Sequence, residues 1–307
     1  IRGKSPKTVD EYYIDLRTFF RYIKQKKGLN KYNGKLVSFE EIKIDDIEID
    51  LIKTVTLVDV FEYMDFLMNE RKNGAAARSR KVSSLRTFFK YLTIKSGDLE
   101  VNPVEELETP RLKKSLPKFL TLEESKMLLK TVDNYGGIFR ERDWCILTLF
   151  LNCGIRLSEL VGINLSDIKS DWTLKVTGKG NKERIVYLND ACRSAIENYM
   201  EVRPIVKKAK DAFFISRNNN RISPKTVQFL VKKYLSLSGL KDKGYSVHKL
   251  RHTAATLMYQ YAKTDIRVLK EILGHENLGT TEIYTHLSGE QMKKSMMDNP
   301  LAEVKMK

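Results

Sequence analysis

His248 and Arg251 lie three residues apart just after Ser246, a residue type that caps helix N-termini. On a helix opening there, both side chains share a face beside the positive end of the helix dipole, which makes an anion site. Histidine can move a proton near neutral pH, and arginine can grip two phosphate oxygens at once. Further residues of matching chemistry occur in the same part of the chain. Arg156 follows Gly154 at a reversal between two helical stretches, where it either projects into a cleft or sits on the surface. Lys179 stands in Gly178-Lys179-Gly180-Asn181-Lys182, between two segments that alternate as strands do, at the tip of a β-hairpin. A lysine there could enter a minor groove, enter an active site or be solvated. His275 directly follows Gly274, which closes a helix, and Tyr284 comes nine residues later. Taken alone, Tyr284 is one of 14 tyrosines and reads as a packing residue.

Two other chemistries fit poorly. All four histidines (His248, His252, His275, His286) fall in the last quarter of the chain, which raises the question of a metal site. His248 and His252 have i,i+4 spacing, but Lys249 stands where a zinc-protease pattern needs Glu, and no cysteine is near, so no metal is expected. The hairpin glycines lack the spacing of a phosphate loop and no helix follows them, which argues against a nucleotide site.

These residues need a scaffold, and 307 residues with 42% hydrophobic content suffice for two medium domains. The stretch from Glu105 to Pro117, with two prolines, many charges and no periodicity, reads as the linker. The expected division is a helical domain over 1–112, a linker over 113–118 and a second domain over 119–307 with a tail from 289. In the first domain Thr8 and Glu11 have capping-box spacing and Val9, Tyr12, Tyr13, Leu16, Phe20 and Ile23 form an apolar stripe. Helices are expected over about 57–71 and 75–94, the latter burying Val82, Leu85, Phe88, Phe89 and Leu92; residues 28–55 have no assignable structure. In the second domain, helices are expected from Thr121, over about 142–153 and 157–161, from Ser223-Pro224, from Ser246 and over about 265–273, with one hairpin between them. The fold class is therefore mainly α with a small β-hairpin, an α+β arrangement.

The net charge of +16 implies a polyanionic partner, and most of it lies beyond the linker. Near the third helix, Arg71, Lys72, Arg78, Arg80, Lys81, Arg86, Lys90 and Lys95 occur with no acidic residue among them. Such a run is either a solvated face or a phosphate-contacting one; we expect DNA contact from Arg78, Arg80, Lys81 and Arg86, and from Lys182 and Arg184 on the hairpin. No apolar run is long enough to span a membrane and the first residues lack a signal-peptide core. The chain opens on Ile1 and not Met, which suggests a trimmed or processed front. Three cysteines, two of them in an apolar stretch, suit buried thiols in the cytoplasm.

Gly154-Ile155-Arg156-Leu157-Ser158-Glu159-Leu160, Thr177-Gly178-Lys179-Gly180-Asn181-Lys182-Glu183-Arg184, His248-Lys249-Leu250-Arg251-His252, Leu273-Gly274-His275 and Ile283-Tyr284-Thr285-His286 appear in this order. The set resembles the tyrosine recombinases, most closely their Xer-type and phage-integrase branch. The resemblance spans the second domain, and the first looks like the family's core-binding domain; the stretch from Arg251 to His275 is about a residue longer than is usual in Xer proteins. It implies two domains clamped around DNA, with Arg156, Lys179, His248, Arg251, His275 and Tyr284 in the six catalytic positions and Glu159 in a supporting acidic one. It further implies a 3′-phosphotyrosyl intermediate formed without ATP, metal or other cofactor. In that scheme Arg156, Arg251 and His275 stabilise the transition state, His248 takes a proton from Tyr284, and Lys179 protonates the leaving 5′ oxygen. The expected partners are a double-stranded DNA site and further copies of the chain, a dimer per site and a tetramer on DNA, coupled through residues 289–307. Three other readings are a type IB topoisomerase, a non-catalytic DNA-binding module and a metal-dependent nuclease.

Overall fold

In the computed structural model, residues 6–110 and 118–274 are described, the side chains of Lys7 and Lys179 excepted. The chain divides into two units between Lys114 and Ser115.

The first unit is built on α1 (Pro6–Lys26), α3 (Leu57–Asn69) and α4 (Ala75–Lys90). Between α1 and α3, residues that showed no periodicity form two short paired strands, β1 (Lys31–Tyr32) and β2 (Lys35–Leu36), and the single-turn α2 (Ile49–Lys53). Phe19, Ile23, Val60, Tyr63, Val82, Leu85 and Phe89 fill the core, with Phe19 edge-on to Tyr63 at 5.0 Å between ring centroids. Thr56 caps α3 through a reciprocal bond pair with Asp59. Two sequence expectations need correction here. Helix α1 begins at Pro6, so Thr8 and Glu11 lie inside it and do not open it; Val9 and Tyr13 are exposed, because the face it buries is the one carrying Phe19, Phe20 and Ile23. Helix α4 gives way at Tyr91–Ser96 to a wider π-helical turn that ends at the left-handed Gly97.

The second unit contains α5 (Leu122–Tyr135), α6 (Arg140–Cys153), α7 (Leu157–Gly162), strands β3 (Thr173–Thr177) and β4 (Glu183–Tyr187), α8 (Asp190–Val202), α9 (Pro224–Leu237), α10 (Val247–Gln260) and α11 (Ile266–Leu273). Helix α6 is apolar nearly all round and is the central element, with α5, α8 and α10 packed on it. Cys145, Ile146, Leu149, Phe150 and Ile155 are fully buried there. Strands β3 and β4 pair antiparallel from Thr173 opposite Tyr187 to Thr177 opposite Glu183, which is the expected hairpin. Thr121, Ser223 and Asp265 cap α5, α9 and α11 through their side chains, Ser246 occupies the N-cap of α10 without a side-chain bond, and Pro224 occupies the first turn of α9. No helix among the described residues is long and apolar enough to cross a membrane. His275, Tyr284, His286 and the tail 289–307 lie outside the described residues.

Candidate active site

Four elements bring the chemistry-bearing residues together around the C-terminal end of α11. The first is the turn after α6. Gly154 adopts a left-handed φ of +59°, and a Cβ on it would stand 2.8 Å from Leu273 Cδ2 and 3.5 Å from Ala254 Cβ. Both the backbone conformation and the close approach of α10 and α11 therefore require glycine. A Gly154→Ala protein is expected to lose about 1–3 kcal/mol of stability, read as a lower urea midpoint with an unchanged slope.

The reversal places Arg156 at the N-cap of α7, with Glu159 three residues on. The Glu159 carboxylate accepts from the Arg156 amide at 2.7 Å and from Arg156 Nη1 at 2.7 Å. From β4, Arg184 donates to the same carboxylate through Nη1 at 2.7 Å and Nη2 at 3.0 Å, and through Nε to the Ile272 carbonyl at 3.0 Å. Burial alone would raise the Glu159 carboxyl, but the bonds from Arg184 and Arg156 outweigh it and hold the group at about 2. Glu159 is thus a buried anchor for two guanidiniums, ionised at neutral pH. Arg156 Nη2 continues to the Gly274 carbonyl at 2.7 Å.

Arg251, on α10, is almost fully buried and spans two segments: Nη1 donates to the Gly154 carbonyl and Nη2 to the Leu273 carbonyl, both at 2.6 Å. Three arginines from three elements therefore cover the three successive carbonyls of Ile272, Leu273 and Gly274. These carbonyls are the unsatisfied end of α11, where cations are favoured. His275 is the next residue.

His248 precedes Arg251 by one helical turn, and its ring stands edge-on to His252 at 4.5 Å between centroids. Partial burial and the charges of Lys249, Arg251 and Arg156 lower its pKa, so the ring is neutral near pH 7 and suited to accept a proton. The turn leading into α10 is held by Glu124, which accepts from the Tyr245 hydroxyl at 3.0 Å and from Lys243. His252 is pushed down further, to about 4, by burial and then by His248, Lys249 and Arg251. Since the unfolded chain takes up this proton near 6.5 and the folded one near 4, stability is lost as pH falls through that window. Urea unfolding at stepped pH should show this acid limb, and His252→Asn should flatten it; Glu159 adds a second loss from 4.5 towards 2.

The fourth element is the β3–β4 turn, closed by a bond from the Gly178 amide to the Lys182 carbonyl at 2.8 Å. A Cβ on Gly178 would stand 3.3 Å from Glu159 Oε1 and 3.8 Å from Arg156 Nη1, so the backbone that carries Lys179 lies against the arginine cluster. Gly180 and Asn181 both take positive φ, which turns the chain sharply there.

The residues expected to touch DNA are placed less uniformly. Lys182 is exposed on the hairpin turn. Arg184 is corrected: it faces inward onto Glu159, because β4 alternates and Arg184 shares the inward face with Val186. Lys81 is corrected likewise, since its ammonium is buried on Asp15 at 3.0 Å, and Asp15 also holds Arg80 and the Ser84 hydroxyl. Asp15 stands on α1 opposite the basic run, which a reading of α4 alone does not register. Arg86 donates to Thr109 Oγ1 at 3.1 Å and to the Leu107 carbonyl, tying the end of the first unit to α4. Arg78 is partly buried, with its Nε enclosed and unpartnered.

The sequence matches the Phage integrase family over residues 118–291, more than half of the chain. It is 51% identical over 304 residues to "Tyrosine recombinase XerC" of Caldanaerobacter subterraneus subsp. tengcongensis, covering 99% of this chain and 84% of that protein. To the protein of the same name from Syntrophus aciditrophicus it is 35% identical over 291 residues, covering 89% and 93%. Among solved structures, the XerH site-specific recombinase in a post-cleavage complex with a palindromic difH substrate has a TM-score of 0.73 at 20% identity, covering 94% of this chain and 79% of that one. A lambda integrase dimer bound to a COC′ core site has a TM-score of 0.65 at 19% identity, covering 92% and 72%. At these identities the structural likeness concerns the fold.

Proposed function

The chain belongs to the phage integrase family and is a Xer-type site-specific tyrosine recombinase, and from that premise we propose how its residues cut and rejoin DNA. The Tyr284 hydroxyl attacks a backbone phosphorus: the bond from phosphorus to the tyrosine oxygen forms and the bond to the 5′ oxygen breaks. A 3′-phosphotyrosyl enzyme and a free 5′ hydroxyl result. Rejoining reverses the exchange with the 5′ hydroxyl of a partner strand, so the phosphodiester energy is conserved. His248 receives the tyrosine proton and Lys179 supplies one to the leaving oxygen. Arg156 and Arg251, with His275, meet the negative charge that builds on the non-bridging oxygens, where preorganised donors are most effective. DNA contact is assigned to the exposed Lys182 and to the exposed parts of Arg80 and Arg86, with Arg78 beside them.

One observation carries this reading. Arg156 and Arg251 approach adjacent carbonyls at the end of α11, with the neutral-leaning His248 within reach of their charge and the lysine-bearing turn against Arg156. Such convergence of two forked cations with a proton acceptor suits phosphoryl transfer.

The first unit is assigned to DNA binding and the second to the chemistry. The partner is double-stranded DNA carrying a recombination site, bound by two copies per site and four in the exchanging complex, with residues 289–307 passed between copies. A cytoplasmic setting belongs to the same reading, supported by three buried thiols. The test is an exchange assay between two DNA molecules that carry the site, run with chelator present. Recombinant products are expected; relaxation of supercoils without exchange would indicate topoisomerase-type activity instead. A chain cut before Gly289 should form fewer tetramers on DNA by gel filtration and recombine more slowly, and unchanged assembly and activity would remove the tail from the account.

A further inference from the structure

Arg184 is not among the six positions that the resemblance makes catalytic, yet it is bound into the site through its whole guanidinium. Its side chain is 14% exposed, and all three guanidinium nitrogens donate: two to the fully buried Glu159 carboxylate and one to the Ile272 carbonyl. The same carboxylate fixes Arg156 through its backbone amide and its Nη1. We propose that Arg184 is a positioning residue for strand cleavage, acting through Glu159 on Arg156 and through Ile272 on the segment that runs into His275. This rests on the recombinase reading above.

Geometry and charge both support it. Each Glu159 oxygen is shared: Oε1 accepts from Arg156 Nη1 and Arg184 Nη1, and Oε2 from the Arg156 amide and Arg184 Nη2, so the Arg184 fork braces the carboxylate that holds Arg156. Glu159 with Arg156 alone is a neutral pair, poor at attracting a phosphate. With Arg184 the group of three carries one net positive charge, so the anchoring carboxylate no longer cancels the arginine it anchors. The bond to Ile272 links this group to the last turn of α11, whose next two carbonyls are held by Arg251 and Arg156. Loss of Arg184 would therefore loosen two of the pieces that must be in register when the phosphate arrives. A misplacement of about 1 Å in such a site commonly costs about 10²-fold in rate.

The experiment uses the full chain and a nicked DNA substrate that traps the covalent adduct. Single-turnover adduct formation is measured at saturating protein, DNA affinity by fluorescence anisotropy and folding by thermal unfolding. Arg184→Gln is expected to slow adduct formation by about 10²-fold while DNA affinity stays within about threefold. Arg184→Lys, which keeps the charge but not the fork, should fall between and stands in if the glutamine protein does not fold. In a Glu159→Gln background the Arg184→Gln change should cost at least tenfold less, because the path through Glu159 is already broken. An affinity loss with an unchanged rate in the bound complex would make Arg184 a DNA contact and overturn the proposal. Equal costs in both backgrounds would overturn it as well. If the unaltered chain forms no adduct, the recombinase reading itself fails, an outcome distinct from an adduct whose rate ignores Arg184.

Discussion

An Arg251→Lys protein is expected to bind its DNA with near-normal affinity and to form the covalent adduct about 10²-fold to 10³-fold more slowly. Arg251 is 4% exposed and bridges the Gly154 and Leu273 carbonyls, 97 and 22 residues away in sequence. A guanidinium does this because its donors lie in a rigid planar fork, the geometry that also matches the oxygens of a phosphate. An ammonium is a compact point charge on a flexible stem; it can satisfy one carbonyl or the other and presents no fork to the phosphate. The overall charge is unchanged, so long-range attraction for DNA should persist, and the damage should concentrate in the chemical step. Leaving one buried carbonyl unpaired should also cost about 1–3 kcal/mol of stability. Rate measured at saturating protein, beside the unfolding midpoint, separates the two effects. An undiminished rate would mean that Arg251 only ties α6 to α11.

Tyr284→Phe should abolish the adduct altogether, leaving DNA binding intact. A phenyl ring keeps the size and stacking of tyrosine but has no oxygen to bond phosphorus, so no neighbouring group can compensate. The phenol has an unperturbed pKa near about 10 and must be ionised or deprotonated during attack. Arg156 and Arg251 favour the phenolate and His248 offers a proton acceptor, so replacing His248 should slow the reaction without removing it. A Tyr284→Phe protein that still forms an adduct would move the nucleophile to another residue. Tyr284 lies outside the described residues, and this prediction stands on its chemistry and on the motif around it.

Sequence and structure agree best where local chemistry decides. Gly154 had to be a left-handed cap, Ser223-Pro224 had to open a helix, and alternation across 174–176 and 184–188 had to give a hairpin; each is present. Agreement is weaker where a distant partner decides. Lys81 and Arg80 read as free cations along α4 because nothing near them in sequence is acidic, but Asp15, 65 and 66 residues away, binds both and cancels one of their two charges. Arg184 read as a DNA contact because it follows a basic turn, although its alternation with Val186 on β4 already pointed it inward. The candidate site divides in the same way. Spacing alone could place His248 and Arg251 on one face of a helix, but it could not reveal that three arginines share the end of α11, because those contacts span 22 to 118 residues.

The most direct measurement of the central claim is identification of the amino acid joined to DNA. The full chain is incubated in chelator with a nicked substrate, the adduct is digested with trypsin and nuclease, and the modified peptide is sequenced by mass spectrometry. Residues 271–293 form a tryptic peptide with a single tyrosine, Tyr284. The account predicts a nucleotide attached through its 3′ phosphate to that tyrosine, with a free 5′ hydroxyl on the released strand. Attachment to any other residue, linkage through a 5′ phosphate, or cleavage without a covalent adduct would contradict it.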